Sequence, residues 1–117
     1  MINGAHVIIY SKDAEADREF FKSVLGLHSV DAGGGWLIFA LPPAEVACHP
    51  GDGNDAHELY LMCEDLKKMV AALDAKGIQC DDVHEPPWGI LTHIKLPSGG
   101  RLGLYQPKHP TAAKLSA

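Results

Sequence analysis

Three landmarks recur at one spacing in this chain. Asp13 and Asp65 are 52 residues apart, Gly26 and Gly77 are 51 apart, and Trp36 and Trp88 are again 52 apart. A repeated offset close to half of 117 residues marks a duplicated unit. The fold must therefore be one that two similar halves can build together. In the first copy, His6-Val7-Ile8-Ile9-Tyr10 is a β-branched apolar run that reads as a strand. Asp13 can cap a helix start, and Glu15 and Asp17 suit its positive end. Phe20 with Val24, and Phe21 with Leu25, are pairs at helical spacing on an apolar face. Gly26 ends the helix, where a left-handed residue costs glycine little. The second copy runs through Leu59-Tyr60-Leu61-Met62-Cys63, Asp65, the face Met69-Val70-Leu73, and Gly77.

Three further strands follow each helix. In the first half they are 27–30, 36–41 and 44–49, separated by the turn Asp31 to Gly35 and the break Pro42-Pro43. In the second half they are 78–83, 89–96 and 101–106, separated by Glu85-Pro86-Pro87 and Pro97-Ser98-Gly99-Gly100. The order β-α-β-β-β, written twice, predicts an α+β protein with eight strands and two helices, near 14–25 and 66–76. The two four-stranded sheets would lie side by side as one curved, half-open, eight-stranded sheet. Its helix-free face would be a trough that Trp36, Trp88 and Tyr105 could line. The segment Pro50 to Asp55 is the natural boundary between modules. The expectation is one domain over residues 1–107, made of modules 4–52 and 56–107, with a loose tail at 108–117.

Composition excludes several partners. Hydrophobic residues at 46% and charged residues at 21% suit a soluble globular protein. A net charge of −5 with no basic stripe argues against nucleic acid. No apolar run approaches the roughly 18 residues of a membrane span, and MINGAHVIIY does not read as a secretory leader. Cys48, Cys63 and Cys80 form no CxxC pair and fit reduced thiols in a cytoplasm. A chain this small, with a trough to close, is expected to form a homodimer.

Motifs for nucleophilic, phosphate-binding and zincin chemistry are absent: there is no G-x-S-x-G, GxxxxGK[ST] or HExxH. The glycines at 33–35 and 99–100 lie between strands and read as turns. Of seven histidines, His6 stands out. It begins the leading strand and by alternation shares a face with Ile8 and Tyr10. Glu45 begins another strand of the same module. Imidazole plus carboxylate suits Zn²⁺, Ni²⁺ or Fe²⁺, although a solvated Glu45 at a strand end is an equally good account of that residue.

With HVIIYSKD-x6-FF-x3-LGL, the doubled β-α-β-β-β order and the ending LPSGGRLGLYQP, the chain resembles the vicinal-oxygen-chelate superfamily. Its members include glyoxalase I, extradiol dioxygenases, methylmalonyl-CoA epimerase, and fosfomycin and bleomycin resistance proteins. The resemblance implies a small-molecule pocket and, in the metal enzymes, ligands on a few strands. His6 matches the first-strand histidine and Glu45 the glutamate of the first module's last strand. The usual second-module histidine falls at Leu59; His57, two residues earlier on the same face, could replace it if the strand is shifted. The last-strand glutamate falls at Gly103, which offers no ligand. The implied metal set is therefore His6, Glu45 and His57, with Glu45 also the proton-moving carboxylate. The implied functions are a glyoxalase- or dioxygenase-like enzyme of lyase, isomerase or dioxygenase type with an incomplete site, or a metal-free protein that sequesters a ligand among Trp36, Trp88 and Tyr105.

Overall fold

Asp13 and Asp65 start the two helices, as their spacing predicts. In the computed structural model, which describes residues 6–45, 47, 49–50 and 52–112, helix α1 spans Ala14–Ser23 and helix α2 spans Leu66–Ala75. The Asp13 carboxylate accepts from the Ala16 N–H at 3.1 Å, and the Asp65 carboxylate accepts from the Lys68 N–H at 3.1 Å. Each satisfies a donor that the first helical turn leaves unpaired. Gly26 and Gly77 adopt left-handed conformations, with φ of 67° and 76°. Both boundaries are thus duplicated in geometry as well as in sequence.

Five strands form among the described residues, where the sequence predicts eight. Strands β1 (Ser29–Asp31) and β2 (Leu37–Phe39) make an antiparallel hairpin. The Asp31 carboxylate closes its turn by accepting from the Gly33 N–H at 2.7 Å. Strands β3 (Tyr60–Met62), β4 (Gly89–Lys95) and β5 (Arg101–Pro107) make a second sheet in the order β3-β5-β4. There β5 runs parallel to β3 and antiparallel to β4.

Each shortfall has a cause. Residues 6–10 enter no ladder among the described residues, because a β-prone run still needs a partner for its backbone groups. Segment 78–83 makes only the isolated bridge Cys80↔Ile94, and His84↔Leu91 follows just beyond it. Four steps on one side, 80 to 84, oppose three on the other, 91 to 94. The extra residue interrupts the ladder as a bulge does. The expected strand 44–49 includes Val46 and Cys48, which lie outside the described residues. Among the described residues the strands form two small sheets, and the eight-stranded curved sheet is not completed there.

The core sits on the helix-covered face of the second sheet. Leu66 and Leu73 of α2 pack with Ile90, Ile94, Leu96, Leu102 and Leu104, and Phe20 of α1 joins the same cluster. Phe21, its neighbour, turns toward β2, its ring 5.6 Å from that of Phe39. One turn earlier on α1, buried Asp17 accepts from the Ser98 N–H at 3.1 Å and the Ser98 hydroxyl at 2.8 Å. Asp17 and Phe20, three apart on one helix face, tie the first module to the β4–β5 turn and to the second module's core. Beyond β5, the Lys108 N–H donates to the Trp88 carbonyl at 3.0 Å, and the Ala112 N–H donates to Glu45 at 2.7 Å. These contacts fix part of what the sequence suggests is a loose tail.

Candidate functional site

The helix-free face of the second sheet follows from the register. Tyr60 and His93 both stand opposite Gly103, and Tyr105 stands opposite Met62 and Leu91. Alternation turns these side chains away from the Leu102–Leu104 core. Two glycines then leave room for two tyrosine rings to cross the sheet. A Cβ at Gly103 would overlap the Tyr60 ring, at 2.7 Å from its Cγ. A Cβ at Gly89 would overlap the Tyr105 ring and stand 2.8 Å from the Gln106 carbonyl oxygen.

The result is a continuous run of rings. Trp88 lies 5.6 Å from Tyr105, Tyr105 lies 6.2 Å from Tyr60, and Tyr60 lies 5.5 Å from His93, centre to centre. His109 flanks Tyr105 at 5.7 Å. These separations suit edge-to-face and tilted aromatic contacts. The Tyr105 hydroxyl donates to the Trp88 carbonyl at 3.2 Å. Burial, then a hydrogen bond to the Glu58 carboxylate, pushes the Tyr60 phenol above its ordinary pKa, while Arg101 pulls the other way. Burial, then the Glu45 carboxylate, does the same for Tyr105. Both phenols are therefore neutral donors near pH 7. At the His93 end, Arg101 Nη2 lies 3.2 Å from His93 Nδ1 and pairs with Asp81. A guanidinium can only donate, so His93 Nδ1 accepts and its Nε2 carries the proton.

The structure brings Trp88 and Tyr105 together, with the Glu45 charge acting on Tyr105. Trp36 stands apart: it is 65% exposed, and the Arg18 guanidinium lies 5.0 Å from its ring centre. His6 and His57 are exposed. Tyr60, His93 and Arg101 also belong to the face, and no sequence motif marks them. Alternation along β4 and β5 puts His93 and Arg101 on the face of Tyr105, but only the β3–β5 register adds Tyr60.

Comparison with solved structures places this geometry. TnmS3, an antibiotic-binding protein from a Streptomyces species, superposes with a TM-score of 0.63 at 24% identity, over 92% of this chain and 100% of that one. Lactoylglutathione lyase from Agrobacterium tumefaciens gives 0.58 at 15% identity, over 89% and 92%. The fosfomycin resistance protein FosX from Mesorhizobium loti gives 0.54 at 13%, over 92% and 95%. The chain has the vicinal-oxygen-chelate fold. No protein-family model and no curated protein matches the sequence, so the likeness lies in the fold.

Enzymes of the vicinal-oxygen-chelate superfamily implied a metal, and this chain's donors can be tested against one. Among the described residues, no group of three or more His, Cys, Asp or Glu side chains converges to hold an ion. At Gly103, where a ligating carboxylate would stand, the space is filled by the Tyr60 ring. Among the described residues, the donor set of a single chain does not fit a resident metal. Cys63 and Cys80 are free thiols. Burial, then Asp65, pushes Cys63 up to about 11, and burial, then Asp81 and Asp74, raises Cys80. Neither is an activated nucleophile. Among the described residues no helix is long and apolar enough to cross a membrane.

Proposed function

We propose that the protein binds a small planar molecule on the open face of the second sheet. The observation that carries this reading is the unbroken run Trp88–Tyr105–Tyr60–His93. Half-buried rings set side by side and tilted against one another, with Trp88 exposed at one end, offer an apolar surface, with phenol hydroxyls to orient a ligand. TnmS3 is an antibiotic-binding protein, which supports ligand binding on this fold. The fold alone assigns no activity. Trp88 and Tyr105 are the ligand-binding residues of this reading, joined by Tyr60 and His93. Trp36, held by Arg18, serves as an internal control.

The test is tryptophan fluorescence. With Trp36→Phe, Trp88 is the sole tryptophan, and planar aromatic probes should quench it saturably. Tyr60→Ala and Tyr105→Ala should each weaken binding by about 2- to 10-fold, the worth of one aromatic contact. Quenching confined to Trp36 would end the proposal.

An enzymatic reading, of lyase, isomerase or dioxygenase type, would need His6, Glu45 and His57 to ligate Zn²⁺, Ni²⁺ or Fe²⁺, with Glu45 moving the proton. Because these residues do not converge within one chain, metal per chain after incubation with each ion should stay well below one. Stoichiometric uptake that is lost in His6→Ala would establish the metal reading instead.

The functional unit we propose is a cytoplasmic homodimer of one domain, residues 1–107 with modules 4–52 and 56–107, and a tail at 108–117. Val7, Ile8, Ile9 and Tyr10 are 49%, 64%, 39% and 92% exposed, more apolar surface than a lone segment ordinarily leaves to water. Among the described residues, strand β3 pairs on one side only, with β5. A second copy that covers the 7–10 run would complete the eight-stranded sheet and bury both features. Light scattering should give twice the 12.6 kDa of one chain; a monomer at micromolar concentration counts against it.

A further inference from the structure

The run of rings ends on a charge, and that end has its own chemistry. Arg101 opens β5, next to the position where Tyr60 crosses Gly103. Asp81 and His93 Nδ1 both meet its Nη2. A guanidinium carries five N–H donors, so this pairing fixes the group while leaving donors for an incoming oxygen. The accepting role of His93 Nδ1 puts its proton on Nε2, a second donor at the same end. Lys95, opposite Arg101 in the ladder, adds a cation there. The Glu58 carboxylate, which helps raise the Tyr60 phenol pKa, is a negative charge on the Tyr60 side of that end.

We infer that the molecule bound on this face is an aromatic acid: a planar ring system packed against Tyr60 and Tyr105, face-on to one ring and edge-on to the other, with a single carboxylate on Arg101 and His93. This rests on the reading of the open face as the binding site and names its ligand class. With Nη2 occupied, the Nε and Nη1 N–H groups remain, and either can make a charge-assisted hydrogen bond to a carboxylate oxygen. The whole chain carries −5, a field that opposes polyanions. A flat monoanion meets both conditions: its charge reaches one fixed guanidinium and its rings cover the tyrosines.

The experiment compares 2-naphthoate with 2-naphthamide, which has the same rings and no charge, by quenching of Trp88 in the Trp36→Phe protein at pH 7. Naphthoate should bind roughly 10- to 100-fold tighter, the usual advantage of hydrogen bonds to a charged group. Arg101→Gln should bring naphthoate to the level of naphthamide and leave naphthamide unchanged. Arg101→Lys keeps the charge on a point donor that Asp81 and His93 do not fix in place and should fall between, which preserves the test if the glutamine variant fails to fold. Equal binding of the two probes to the parent protein would overturn the acid anchor while leaving the aromatic site standing. An unchanged naphthoate affinity in Arg101→Lys and Arg101→Gln would also overturn it. Binding of neither probe would reject both the anchor and the aromatic site.

Discussion

Phe20→Ala should lower the unfolding free energy by about 3–5 kcal/mol, the usual cost of truncating a buried phenylalanine. Phe20 is 3% exposed and packs in the cluster formed by α2 and the second sheet, although it belongs to α1. With Asp17 it joins the first module to the second. A small domain is stable by only about 5–15 kcal/mol, so the loss should be plain in urea titration as a lower midpoint. Amides of residues 14–23 should also exchange faster, because their helix loses its main anchor. Phe21→Ala is the comparison. Phe21 is half-buried and meets Phe39 of the hairpin, so its removal should cost less. If the Phe21 variant proves the weaker of the two, the second-module core is not what holds α1.

Gly103→Val should cost about 1–3 kcal/mol, as overpacking in a filled site does, and should abolish binding on the aromatic face. Any Cβ at this position overlaps the Tyr60 ring, down to its Cγ. The ring cannot escape by a small swing of its tip; the whole side chain must leave the sheet, and the run from Tyr105 to His93 breaks. Tyr60→Ala should relieve the clash. The double variant should then be more stable than the two single losses predict, the signature of residues in contact. Strict additivity in that cycle would mean that Tyr60 does not lie over Gly103 in solution. The same overlap explains why placing Glu at Gly103 would not by itself rebuild a metal site: its side chain would have to displace the ring first.

How much of this was legible beforehand depends on range. Helix starts and stops were legible because their causes are local. Asp13 and Asp65 cap donors three residues ahead, and Gly26 and Gly77 relieve a steric penalty on their own backbone. The doubled pattern, and with it the fold shared with TnmS3 and FosX, followed from those same signals. Trp88 and Tyr105 were selected as aromatic and come together across the β4–β5 ladder, a hairpin whose register the short turn after Leu96 constrains.

What only the tertiary structure decided has long-range causes. Residues 6–10 have every propensity for a strand, yet propensity supplies no hydrogen-bonding partner, and they enter no ladder among the described residues. His6, Glu45 and His57 share the right chemistry but sit on separate segments, and spacing cannot make such segments converge. Trp36 meets Arg18, a contact that no strand pattern encodes. Tyr60 entered the face through the parallel pairing of β3 with β5, which sets it on Gly103. The sequence by itself determined the repeat, the caps and the residue types available. The tertiary structure decided which of those residues face one another, because pairing between distant strands is set by the packing of the whole core and not by any neighbour along the chain.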